Sequence, residues 1–273
     1  MNISELFDLH GRTVLITGGS GVLGRVMASG LAQAGARVAV LGRREEPVLA
    51  VAATLRAEGG DALAVAADVL DRSALERANE TITATLGPVD ILINGAGGNS
   101  PQATTEPDRT FFDLDMAAIR HVFDTNVTGA IVCSQVFGRV MAERRQGCIL
   151  NVASMAGLRP LTRVVTYSAA KAALINFTHW LAVHMTQEYS PAIRVNAIAP
   201  GFFLTEQNRY LLLDAQGKLT PRGQAIISHT PAGRLGEPAD LLGTLLWLVS
   251  PASAFVTGVV IPVDGGFASS SGV

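Results

Sequence analysis

The strongest constraint on this chain is an alternation. Short β-rich runs take turns with longer helical patterns: "TVLIT" then residues 22–34, "RVAVLG" then 45–58, "ALAVAA" then 71–86, then "DILIN". The pattern continues through a helical stretch at 114–144, "CILNVAS", a helix at 166–188, "IRVNAIAP", a helix at 237–249 and a last strand "GVVIPV". Repeated βαβ units with right-handed crossovers lay strands parallel with helices on both faces. Hydrophobic residues make up 48% of the chain but aromatics only 5%, so the core is built from Ala, Val, Leu and Ile, which suits helices packed on a buried parallel sheet. With no composition shift, linker or internal repeat, one doubly wound α/β (Rossmann) domain is expected over residues 1–273, with 202–235 its least regular part.

Several classes of function are disfavoured. The net charge is −2 and there is no dense basic run, so nucleic acid is not an expected partner. Cys133 and Cys148 have neither CxxC spacing nor the density of a disulfide framework; free thiols, no metal site and a reducing cytoplasm are expected. The start, "MNISELFDLHGRT", has no basic region followed by an apolar one, and "LLGTLLWLV" is too short to cross a bilayer, so a soluble, uncleaved protein with no membrane partner is predicted.

The turn from Gly18 through Gly19, Ser20, Gly21, Val22 and Leu23 to Gly24 follows the first strand and opens the first long helix. Gly19, Gly21 and Gly24 fit GxGxxG, where missing side chains let backbone N–H groups approach a pyrophosphate at a helix N-terminus. About 20 residues on, a site for NAD places an acid that accepts from the ribose hydroxyls. Here the strand ends "VLGRR": Gly42 stands in the acid's place, followed by Arg43 and Arg44. An arginine pairs with a 2′-phosphate, so NADP(H) is favoured over NAD(H); the alternative is that both arginines are solvated at a helix start. Asp68, with Val69 after it, ends the third strand on the same edge, to touch the adenine or to cap the next helix.

The chain has only two lysines, Lys171 and Lys218, and three tyrosines, yet "YSAAK" sets Tyr167 four places before Lys171. A chance pair at this spacing is expected roughly 0.02 times. On a helix, i and i+4 share a face, so both polar ends can enter one crevice. A free phenol titrates near 10; a neighbouring cation favours the phenolate, so Lys171 is expected to lower Tyr167 into the range of a usable acid/base. Ser154, ending "CILNVAS", lies on the carboxyl edge where doubly wound folds bind ligands, although a strand-end serine also serves as a turn or cap. Asn126 sits inside a helical stretch, where asparagine is a poor former, pointing to a local irregularity or a buried hydrogen-bonding task.

Together with "NGAG" (Asn94, Gly95, Ala96, Gly97) and "PGFFLT" (Pro200, Gly201, Phe203 and Thr205 among them), these residues resemble the short-chain dehydrogenase/reductase family over essentially the whole chain. The resemblance implies a seven-stranded parallel sheet of order 3-2-1-4-5-6-7 and a homotetramer. It implies that Tyr167 exchanges a proton with a substrate oxygen while hydride passes between the nicotinamide and the same carbon. Ser154 would hold that oxygen, Lys171 would bind the nicotinamide ribose, Asn126 would hold a water of a proton relay, and Thr205 would contact the carboxamide. Two positions depart from the family pattern: Val22 replaces a glycine of TGxxxGxG, and Gly95 replaces the second Asn of Asn-Asn-Ala-Gly.

Three segments should border the substrate: "GGNSPQATT", "GLRPLTR" and "FFLTEQNRY". They offer Asn99, Arg159, Arg163, Gln207, Asn208 and Arg209, a polar set with little aromatic surface. Arginine pairs bidentately with carboxylate and amides serve hydroxyls, so a sugar acid is expected; the alternative for each arginine is a surface or intersubunit contact. Stretches such as "RPLTR", "NFTHWLAVHM" and "NAIAPGFFLTEQNR" resemble the branch of the family that interconverts D-fructuronate and D-mannonate. A gluconate-type sugar acid and a 3-oxoacyl thioester are the competing substrates, and a non-catalytic nucleotide sensor is the competing class.

Overall fold

The computed structural model describes residues 2–205 and 209–271; the candidate substrate residues Gln207 and Asn208 lie outside the described residues. Seven strands, β1 (Thr13–Thr17), β2 (Arg37–Gly42), β3 (Ala62–Ala66), β4 (Ile91–Asn94), β5 (Gly147–Val152), β6 (Ile193–Pro200) and β7 (Val260–Val263), form one parallel sheet of order β3-β2-β1-β4-β5-β6-β7. This is a single Rossmann-like domain in the order expected. The helices are α1 (Ile3–Leu6), α2 (Val22–Gln33), α3 (Glu45–Ala57), α4 (Arg72–Leu86), α5 (Met116–Phe123), α6 (Gly129–Arg144), α7 (Val165–His184), α8 (Arg209–Leu212), α9 (Pro221–Ser228) and α10 (Leu242–Val249).

Alternate residues of each strand feed two apolar layers. Val14 and Ile16 of β1 face Met27 and Leu31 of α2, Leu55 of α3 and Leu245 of α10, whereas Leu15 faces Leu75 and Ile82 of α4 and Phe137 of α6. Because both faces are covered, the central strands are buried along their whole length, which is why they read as unbroken apolar runs.

Three predicted helices differ in detail. The 114–144 stretch is interrupted by a π-helical turn at Asp124–Thr128, with Asn126 at its centre, so the irregularity expected there is real. The 166–188 helix passes into a second π-helical turn at Met185–Tyr189. The 237–249 helix starts as a 3-10 turn, Pro238–Leu241, stabilised by a reciprocal capping box between Glu237 and Asp240. The segment after β6 carries α8 and α9, and its two ends are joined by a bridge between Phe203 and Gly236. Both cysteines are free and buried, and among the described residues no helix is long and apolar enough to cross a membrane.

Candidate active site

The carboxyl ends of β1 to β6 and the loops after them enclose a cavity of about 870 Å3. Its floor is the glycine turn. Gly18 has a φ of +67°, and a Cβ there would stand 2.7 Å from the Gly95 carbonyl oxygen. A Cβ on Gly24 would stand 2.4 Å from the Gly18 carbonyl oxygen, so α2 can lie against the turn only without a side chain. Gly21 caps α2 with no side-chain hydrogen bond, and Gly21, Val22 and Leu23 line the cavity, so the unpaired amides of the first helical turn border it. The positive end of the helix dipole makes this wall suited to a pyrophosphate.

Gly19 corrects the sequence reading. It is buried and absent from the cavity wall, and a Cβ there would meet Val40 Cγ1 at 2.8 Å, so this glycine serves packing beneath the turn. The two departures from the family pattern are accommodated. Val22 is the first residue of α2, where a helical conformation requires no glycine. A Cβ on Gly95 would lie 2.7 Å from the Thr17 carbonyl oxygen, so this backbone has no room for the asparagine usual at that place. The Thr17 hydroxyl instead accepts from the amides of Gly95 and Ala96, both at 3.1 Å, bringing the loop after β4 over the turn after β1.

Asn94 also differs. It is buried and does not line the cavity; its Nδ2 donates to Asn151 Oδ1 at 2.8 Å and to Ser134 Oγ at 3.1 Å. The strand pleat turns this side chain into the layer under α6, where it ties β4 to β5. At the other end of the cavity Gly42, Arg43, Arg44, Asp68 and Val69 form the wall. Both arginines are exposed, and neither guanidinium makes an ion pair among the described residues. Asp68 does not cap α4: Asp71 does, accepting from Ala74 N at 3.0 Å, while Asp68 accepts from Leu70 N at 3.0 Å at the cavity edge.

The third region gathers four of the predicted polar groups. Tyr167 and Lys171 project from one face of α7, and Lys171 Nζ lies 5.7 Å from the Tyr167 ring centroid, donating to the Val152 carbonyl at 2.7 Å. Ser154 follows β5; its Oγ accepts from Ala156 N at 3.1 Å, and it lines the same cavity as Tyr167. The turn after Ser154 lies directly on α7 because Gly157 has no side chain: a Cβ there would stand 2.7 Å from the Lys171 carbonyl carbon. Asn126 is fully buried behind this end. Its Nδ2 donates to the carbonyls of Gly98 (2.7 Å) and Val122 (2.8 Å), and its Oδ1 accepts from Gly98 N at 3.2 Å. A Cβ on Gly97 would lie 2.5 Å from Asn126 Oδ1 and 3.4 Å from Lys171 Nζ, so the asparagine and the lysine flank the same glycine. Pro200, Gly201, Phe203 and Thr205 close the opposite wall.

Burial pushes the Tyr167 hydroxyl above the ordinary phenol value, outweighing the opposing effect of the nearby Ser154, and pushes the Lys171 ammonium down to about 8. This reverses the direction expected for Tyr167. Desolvation disfavours the phenolate more than its surroundings favour it, and the ammonium is engaged by the Val152 carbonyl. At neutral pH the site therefore presents a neutral phenol, a hydroxyl beside it and a buried cation, an arrangement able to deliver a proton to a carbonyl oxygen.

None of the described residues predicted to meet the substrate lines the cavity. Asn99 Nδ2 donates to Thr104 Oγ1 at 2.8 Å, and Arg159 Nε donates to the Ala268 carbonyl at 3.0 Å. Arg163 is exposed in the left-handed region, φ +72°, with its carbonyl accepting from Thr105 N at 3.0 Å, and Arg209 is exposed at the start of α8. Although Thr17 opens the glycine-rich turn and the segments expected to border the substrate contain Gly157 and Phe202, sequence reasoning gave no individual role to Thr17, Gly157, Thr125 or Phe202. The last two adjoin predicted residues and carry no separate signal, whereas Thr17 and Gly157 act through contacts made only in the fold.

The short chain dehydrogenase family model matches residues 12–215. The chain belongs to the short-chain dehydrogenase family. UxuB of Bacillus subtilis strain 168, an uncharacterised oxidoreductase, is 51% identical over 97% of this chain and 98% of its own length. A Haemophilus influenzae protein crystallised with bound NAD, provisionally named a D-mannonate oxidoreductase, superposes with a TM-score of 0.93 at 43% identity over 100% of both chains. A gluconate 5-dehydrogenase from Burkholderia cenocepacia J2315, in complex with NADP and tartrate, superposes with a TM-score of 0.85 at 32% identity over 98% of this chain and 100% of that one. As a short-chain dehydrogenase the protein is an NAD(P)-dependent oxidoreductase, and its helix-terminus cradle and 870 Å3 cavity fit such a cofactor.

Proposed function

We propose that this enzyme interconverts the keto and hydroxy forms of a sugar acid, with D-fructuronate and D-mannonate as the substrate pair. The observation that carries the chemistry is the meeting of Ser154, Tyr167 and Lys171 in the wall of the cavity whose floor is the glycine turn. The bound nicotinamide supplies or accepts the hydride. Ser154 holds the substrate oxygen, and Tyr167 gives it a proton in reduction and takes one in oxidation. Lys171 holds the nicotinamide ribose and stabilises charge that develops on Tyr167. Asn126 keeps the Gly97–Gly98 backbone in place and contributes to the path along which Lys171 and Tyr167 exchange protons with solvent. Thr205 meets the carboxamide, and the amides around Gly18, Ser20, Val22 and Leu23 meet the pyrophosphate.

The sugar-acid reading is supported by the similarity to the Haemophilus and Burkholderia proteins. Since Arg159 is committed to Ala268, Arg163 and Arg209 are the proposed partners of the substrate carboxylate. Arg43 and Arg44, exposed at the adenosine end with no acid at Gly42, favour NADP(H), with NAD(H) also accepted. The enzyme is proposed to be cytoplasmic and to work as a homotetramer, a second copy covering the face of α7 on which Trp180 and Val183 are 58% and 57% exposed.

The test is initial-rate oxidation of NADH and NADPH with D-fructuronate by wild type, Tyr167→Phe and an Arg43→Ala/Arg44→Ala double variant. Turnover that Tyr167→Phe lowers by about 100-fold or more with cofactor still bound supports the reading, as does selective loss with NADPH in the arginine variant. Absence of turnover in wild type that still binds cofactor refutes the substrate assignment.

A further inference from the structure

Residues Asp264 to Ser270 follow β7 and touch three parts of the site. Asp264 stiffens the segment, accepting from Gly266 N at 2.9 Å and Ala268 N at 2.8 Å. Towards the wall after β6, a Cβ on Gly201 would stand 2.6 Å from Asp264 Cβ, and the Phe267 ring packs edge-on to Phe202 with centroids 5.2 Å apart. Towards the loop that follows α9, Ala232 N donates to the Gly265 carbonyl at 3.0 Å and the His229 ring lies 6.4 Å from Phe267. Towards the turn that follows Ser154, Arg159 Nε donates to the Ala268 carbonyl. The backbone amide of Arg159 donates to the Met155 carbonyl at 2.9 Å, so any pull on its side chain is felt one residue from Ser154.

We propose that Arg159 is a positioning residue, which acts through Ala268 and Phe267 to hold the Ser154 turn at a fixed distance from the Phe202 wall. Phe202 and Ser154 both line the cavity. The link between them passes through an exposed guanidinium donating to a neutral carbonyl, a contact that adds little to global stability. Its effect is on geometry, where small displacements of a catalytic hydroxyl are costly. Phe267, half-buried and gripping Phe202, is the other end of the same link.

This inference rests on the proposed catalytic role of Ser154, and its test separates the two. Arg159→Ala, Arg159→Lys and Phe267→Leu are compared with wild type in kcat and KM on a sugar acid and on its uncharged analogue. Hydrogen exchange is followed in cofactor-loaded enzyme over 154–160, 200–205 and 264–270. Arg159→Ala is expected to lower kcat about 10- to 100-fold on both substrates and to speed exchange in all three segments, with Arg159→Lys restoring both and Phe267→Leu reproducing the exchange pattern. A rise in KM confined to the carboxylate substrate, with kcat and exchange unchanged, would make Arg159 a substrate ligand and overturn the proposal, as would no change at all. If wild type turns over neither substrate, the sugar-acid reading falls while the exchange comparison still decides this one.

Discussion

Replacing Lys171 by Met is expected to give a protein as stable as wild type or more so, and almost inactive. The lysine is 4% exposed, and burial takes its ammonium from the ordinary 10.5 to about 8. At about 1.4 kcal/mol per pKa unit, holding that ammonium inside the folded chain at pH 7 costs on the order of 3 kcal/mol. Against this stands its bond to the Val152 carbonyl, 2.7 Å long, worth about 1.5–3 kcal/mol as a bond from a charged donor. Methionine is of similar length, carries no charge and fills the same volume, so the net change is about 0–2 kcal/mol in favour of the variant, or a few degrees in Tm.

The pH dependence separates this account from simple packing. Between about pH 8 and 10.5 the unfolded chain retains a proton on Lys171 that the folded chain has released, so this group makes wild type more stable as pH rises through that window. The variant lacks that rise. Urea unfolding followed by tryptophan fluorescence at pH 7 and pH 10, with turnover measured on the same samples, reads both effects. A variant more than about 2 kcal/mol less stable than wild type at pH 7, with turnover retained, would show that Lys171 is a packing residue and refute the reasoning.

Other substitutions test other parts of the site. Because burial holds Tyr167 above the usual phenol value, alcohol oxidation, which needs the phenolate, should rise steadily through alkaline pH while carbonyl reduction stays level across neutrality; parallel pH–rate profiles that fall together would contradict this. Gly24→Ala brings a methyl to 2.4 Å from a backbone oxygen that cannot swing aside, so stability should drop by about 1–3 kcal/mol and nicotinamide binding, read by fluorescence titration, should be lost. Asp90 is 7% exposed, accepts from Thr13 N at 2.9 Å and pairs with Arg144 at 3.0 Å, so Asp90→Ala should cost about 2–4 kcal/mol in urea unfolding while leaving KM unchanged.

What a linear chain states directly is whatever depends on neighbours in sequence. The seven strands and the major helices were legible because burial on both faces forces unbroken apolar runs, and the π-helical break at Asn126 because asparagine is out of place in a helix. Tyr167 and Lys171 were legible because i and i+4 share a helical face whatever surrounds them. Tertiary structure decided everything that needed distant segments to meet. It buried Gly19 and turned Asn94 into the layer under α6, fitted Gly95 against Thr17 and Gly157 against α7, and left Arg159 holding Ala268 at a separation of 109 residues. It also set the direction in which Tyr167 is shifted, since spacing supplies a cation nearby but only packing determines how much water is removed from the phenol.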